Sequence, residues 1–105
     1  MAKYLLVYHG GSMPEGEAAQ SAVMAAWGTW FQNLGPALAD GGNPTSQAKT
    51  IGADGSVSDG GGANPATGYS LIEADNLDAA VTLAKGCPVL GGGATIEVAE
   101  TFNVM

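Results

Sequence analysis

Few side chains in this 105-residue sequence carry reactive chemistry. His9 is the one histidine and ends the apolar run "KYLLVYH", just before Gly10-Gly11. Imidazole titrates near neutrality, so His9 is a candidate general acid or base, with a solvated strand end as the plainer role. Glu73 and Glu97 lie in two later runs, "TGYSLIEA" and "GGGATIEVAE". A carboxylate on the interior face of a sheet can move a proton, and at the sheet rim it is only solvated. Tyr4, Tyr8 and Tyr69 are candidates to hydrogen-bond a ligand, or to pack an interface. Trp27 is a candidate pocket wall, although Trp27 and Trp30 also complete an apolar helical stripe.

Other chemistries find no support. One histidine, one cysteine and scattered acids have no metal-ligand spacing, so neither a metal nor a cofactor is expected. Cys87 precedes Pro88 with no base beside it in sequence and reads as a structural thiol. No nucleophile elbow occurs. Six glycines fall between Gly52 and Gly68, but a phosphate-binding loop follows a strand and opens onto a helix. Here the glycines precede a strand, and Asp54 and Asp59 put negative charge among them. The stretch reads instead as a long, mobile connection that starts at an Asp54-Gly55 turn.

Three lysines, no arginine and ten acidic residues give a net charge of -7. That balance leaves no basic patch to displace counterions from phosphates, which argues against nucleic acid and anionic membranes as partners. A lone cysteine and an N-terminal apolar run without a signal-peptide pattern make a cytoplasmic location the expectation. The length predicts a single domain over residues 1–105.

The elements that must position these residues follow from periodicity. A first strand is expected over Lys3–His9. Ser12 and Glu15 have capping-box spacing, and Val23, Trp27, Trp30, Phe31, Leu34 and Leu38 recur at helical steps. Gly35-Pro36 should stop or kink that helix, leaving Leu38 in a short extra turn. "DGGNP" reads as a turn and "TSQAKTI" as the second strand. "TGYSLIEA" is the third strand, and Asp75 would cap the helix "NLDAAVTLAKG" before Pro88. Ala94–Glu100 is the fourth strand. The fold class is α+β, in the order β-α-β-β-α-β of a ferredoxin-like unit with a four-stranded antiparallel sheet.

Such a sheet has helices on one face only. Leu5, Val7, Ile72, Ile96 and Val98 are expected to meet the helices. Tyr4, Leu6, Tyr8, Tyr69 and Leu71 would then lie on the open face, where an aromatic patch calls for an interface. A second copy packed sheet to sheet would cover it, giving a homodimer.

"MAKYLLVYHGG", "WGTWFQNLG", "DGGNP", "DGSV", "GYSLIEADNLDAAVTLAKGCP" and "GGGATIEV" together resemble the YCII-related family, and within it the DGPF-type branch of small bacterial proteins. The resemblance covers nearly the whole chain. It implies a dimeric α/β barrel made of two ferredoxin-like protomers joined sheet to sheet. Related barrels include isomerases, dehydrochlorinase-like lyases and monooxygenases, so it implies no single reaction. YCII relatives pair a histidine in the first helix with an aspartate before a late "DP". Here the first helix has no histidine and the late segment reads "GCPVL", so that dyad does not carry over. Two functions follow as expectations: a small-molecule-binding protein acting as a cofactor-free lyase or isomerase, or a binding or regulatory accessory module without chemistry.

Overall fold

The apolar alternation resolves into two layers. The structure, a computed structural model, describes residues 2–104. In chain order it has β1 (Ala2–His9), α1 (Glu17–Leu34), a 3-10 turn (Gly35–Ala37), β2 (Leu38–Asp40), β3 (Lys49–Ile51), β4 (Val57–Asp59), β5 (Ala66–Ala74), α2 (Leu77–Ala84), a second 3-10 segment (Pro88–Gly92) and β6 (Thr95–Glu100). The fold is α+β. A four-stranded antiparallel sheet runs in the order β2-β5-β1-β6, and β3 and β4 form a separate two-stranded sheet.

The core lies between the sheet and both helices. Tyr4, Leu6, Tyr8, Ile72 and Ala74 from the sheet are buried together with Trp30 and Leu34 of α1 and Ala80 and Ala84 of α2. Strand β1 therefore faces the opposite way from expectation: Tyr4, Leu6 and Tyr8 meet the helices, while Leu5 and Val7 lie on the open face. Ile72, Ile96 and Val98 do turn to the helices, and Tyr69 and Leu71 do not. Register explains the reversal. Tyr4 pairs with Ile72, and Leu6 pairs with Ser70 and Val98; directly opposed residues share a face. The phenol of Tyr8 is satisfied inside by Ser70, so burying a tyrosine leaves no polar orphan.

The edge strand also differs from expectation. "TSQAKTI" does not join the main sheet. Leu38–Asp40 does, and the chain stays beside β5 through a bridge between Pro44 and Gly68. Gly41-Gly42 makes the kink between those two contacts. Gly42 has φ +73, and a Cβ there would sit 1.8 Å from the Tyr69 carbonyl oxygen. Pro44 is tolerated because an edge strand leaves one side of its backbone unpaired.

Helix α1 begins later than the capping box predicts. Gly16 is its N-cap and, having no side chain, leaves the first turn uncapped, while the Ser12 N–H four residues earlier donates to the Gly92 carbonyl at 3.1 Å. At its end the Trp30 indole N–H donates to the Leu83 carbonyl at 3.1 Å, which locks α1 to α2. Helix α2 is capped by Asn76, one residue beyond the expected Asp75, with its side-chain oxygen accepting from the Ala79 N–H at 2.8 Å.

Residues 45–65 project from this body. The expected turn forms: the Ser56 N–H donates to Asp54 Oδ1 at 2.9 Å, and β3 and β4 close around it. The connection is thus a hairpin arm rather than a featureless loop. The chain exposes 7001 Å², against roughly 5,400 Å² for a compact monomer of this mass. Its radius of gyration is 15.1 Å, where about 13 Å is usual for this length.

Candidate functional site

The pairing of β1 with β6 brings His9 and Glu97 together on the open face, although 88 residues separate them. His9 Nε2 lies 3.2 Å from Glu97 Oε1, and Nδ1 lies 2.9 Å from the Asn64 carbonyl oxygen. A carbonyl oxygen only accepts, so Nδ1 carries a proton. With Nε2 facing a carboxylate, both contacts are donor-to-acceptor bonds in the imidazolium form. In the neutral ring the Nε2 lone pair faces the Glu97 carboxylate, so Nε2 serves as a general base only when that side chain turns aside. The His9 side chain is 14% exposed and that of Glu97 is 65% exposed, so a sheltered imidazole is held by a carboxylate open to solvent.

The cross-strand rows fix the neighbours. Val7 pairs with both Tyr69 and Glu97, so these three form one row on the open face beside His9. Adjacent strands lie about 4.8 Å apart, which puts Tyr69 and Glu97 on the order of 10 Å from one another across Val7. Tyr69 is 37% exposed. Glu73 shares the face but lies four residues further along β5, opposite Lys3. The structure thus brings His9, Glu97 and Tyr69 to one end of the open face and leaves Glu73 at the other.

Tyr8 and Trp27 are on the helix side. The Tyr8 hydroxyl donates to Ser70 Oγ at 2.7 Å, and Ser70 Oγ donates to the Gly41 carbonyl at 2.7 Å. Burial pushes the Tyr8 phenol well above its ordinary value, with the Ser70 hydrogen bond opposing it. Burial likewise raises the neighbouring Cys87 thiol. Trp27 stands edge-on to Tyr8 with ring centroids 5.6 Å apart and packs against Trp30 and Phe31. This cluster is bound by shape and internal hydrogen bonds, and no buried side-chain polar atom among the described residues lacks a partner.

Two concavities lie elsewhere. An open groove of about 540 Å³ runs between α1 and α2, lined by residues that include Trp30, Leu34, Leu83 and Pro88. A second, of about 490 Å³, lies along the arm at Gln47, Lys49 and Asp59. Neither includes His9. Among the described residues no three His, Cys, Asp or Glu side chains are grouped to hold a metal, and no helix is long and apolar enough to cross a membrane.

The Asn64 carbonyl and the Val7 row were not among the sequence candidates. A backbone carbonyl has no residue-type signature, and Val7 needed the correct face for β1. No protein-family model and no curated protein matches this chain.

Proposed function

We propose that the chain works as a cytoplasmic homodimer of the dimeric α/β-barrel kind, in which the open sheet faces of two ferredoxin-like protomers enclose a chamber for a small organic molecule. The strand order β2-β5-β1-β6, with both helices on one face, supports the protomer assignment. The open face supports the dimer. Leu5, Val7, Tyr69, Leu71 and Ala99 lie there uncovered by any helix.

The observation that carries the functional reading is the His9–Glu97 contact. The Asn64 carbonyl fixes the tautomer, the exposed Glu97 side chain turns aside so that Nε2 can take a proton and returns to pair with the imidazolium, and Tyr69 stands across Val7 as a hydrogen-bond donor. This equipment suits removal of a proton from carbon followed by elimination or double-bond migration, the work of a cofactor-free lyase or isomerase. Nitrobenzisoxazole ring opening is a direct test, because a base takes the C–H proton while the N–O bond breaks to release a cyanophenolate. The dimer should accelerate it over buffer. His9→Ala should remove the acceleration, roughly 100-fold or more if His9 is the base, Glu97→Gln should reduce it by less, and Glu73→Gln should leave it unchanged. Equal rates for the native chain and His9→Ala would overturn the reading.

The exposure of Glu97 favours a second reading, a binding or regulatory accessory module. His9 then serves only to pin the end of the arm to the sheet. In that case His9→Ala loosens the arm and changes no rate.

A further inference from the structure

We infer that the His9–Glu97 site takes an organic cation, an ammonium group on an apolar body, with Glu97 as the residue that selects it. The inference rests on the proton-abstraction reading above and names its substrate class.

The register sets the geometry. Glu97 stands opposite Val7 and His9 opposite Thr95, so the 3.2 Å contact between Glu97 and His9 is a diagonal one. Turned back into its own row, the Glu97 carboxylate lies over Val7 and faces Tyr69. A carboxylate accepts and an ammonium only donates. An ammonium above Val7 therefore draws Glu97 off Nε2 and leaves that lone pair to the C–H of the substrate. Nδ1 meanwhile keeps its proton on the Asn64 carbonyl. The cation thus supplies the step that the base requires, the departure of Glu97 from His9. Glu97 has room to make it, since its side chain is 65% exposed. Half-buried Val7 and exposed Tyr69 give the ligand body an apolar floor and an aromatic wall.

No lysine competes for Glu97. The chain has three lysines and no arginine. Lys3 shares the open face but stands opposite Glu73 at the far end of β1, about 20 Å from His9 along an extended strand. Lys49 is held in the arm by Asp59 at 2.7 Å. Lys85 closes α2, whose Ala80 and Ala84 pack on the opposite face of the sheet. An anionic substrate meets the Glu97 charge with His9 as the one basic side chain beside it, and His9 acts as a base only when neutral. The net charge of -7 adds to the bias. Ammonium compounds are favoured at this site, and carboxylates and phosphates are disfavoured.

Two readouts on the full chain test this. In ¹H–¹⁵N spectra, benzylammonium should shift the Val7 and Glu97 amides, and benzoate at the same concentration should not. In ring opening, a nitrobenzisoxazole with an aminomethyl group should gain about fivefold more over buffer than one with a carboxylate, the scale of an exposed ion pair. Raising the salt to about 0.5 M should shrink that gap. Glu97→Gln should abolish both preferences with unchanged far-UV circular dichroism. Glu73→Gln removes the same charge from the far end of the same face and should leave them intact. Equal responses to benzylammonium and benzoate overturn the ammonium site and leave the proton-abstraction reading standing. So does a preference that survives Glu97→Gln or falls equally with Glu73→Gln. Glu97-dependent shifts with no ring opening of any nitrobenzisoxazole uphold the ammonium site and overturn proton abstraction, and neither response overturns both.

Discussion

Strand β1 divides five consecutive residues between two environments. Tyr4, Leu6 and Tyr8 are at most 4% exposed and enclosed by helices, while Leu5 and Val7, equally apolar, stay half-buried on a face that no helix covers. Among the described residues no buried side-chain polar atom lacks a partner, and on the closed face Tyr8, Ser70 and the Gly41 carbonyl form a continuous hydrogen-bonded chain. The open face collects what the closed one excludes, namely His9, Glu97 and Tyr69 beside uncovered Val7. The closed face has the composition of a finished core, whereas the open face leaves apolar and titratable side chains uncovered by any helix.

Core truncation should separate the two faces most strongly. Leu6→Ala should cost about 2–5 kcal/mol, because the helices collapse only partly into the space left behind. Leu5→Ala, next to it on the open face, should stay within about 1 kcal/mol when urea unfolding is measured below the dimer Kd. Equal losses at the two positions would erase the distinction between the faces.

A smaller effect tests the buried hydrogen bonds. Ser70→Ala leaves the Tyr8 hydroxyl and the Gly41 carbonyl without their shared partner and should cost about 1–3 kcal/mol. The same region sets the alkaline limit. Burial raises both Tyr8 and Cys87, from ordinary values of 10.0 and 9.0, so the unfolded chain loses these protons first. Their contribution to stability is full below those ordinary values and is lost as pH rises through the folded ones. Tyr8→Phe should therefore move the alkaline unfolding midpoint upward, and an unchanged midpoint would detach Tyr8 from that transition.

The arm should give the smallest response. Hydrogen bonds from Ser56 hold the Asp54 carboxyl below its ordinary value of 3.8. Order at the tip is thus present above the carboxylate range and lost as pH falls below it. Asp54→Ala should speed amide exchange at Ser56 and leave global stability unchanged; a fall in global stability would tie the arm to the core.

Much of this architecture is legible in the sequence. The helical stripe through Trp27, Trp30 and Leu34, the alternation of "TGYSLIEA" and the Asp54-Gly55 turn each carry a local signal. The face chosen by β1 does not, because Tyr-Leu-Leu-Val-Tyr is apolar on both sides and only its register with Ile72 and Ser70 decides. The edge strand was hidden for another reason: three residues, Leu38–Asp40, precede a Gly-Gly kink that reads as a turn. His9 and Glu97 were each recognisable as candidates. Their contact depends on the β1–β6 register, a tertiary choice that spacing does not encode.

The most direct test of a second copy on the open face is sedimentation equilibrium of the native chain beside Val7→Lys at micromolar concentration. The account predicts twice the 10.4 kDa chain mass for the native protein and a folded 10.4 kDa monomer for Val7→Lys. A native chain that sediments at 10.4 kDa throughout, or a Val7→Lys protein that dimerises equally well, would contradict it.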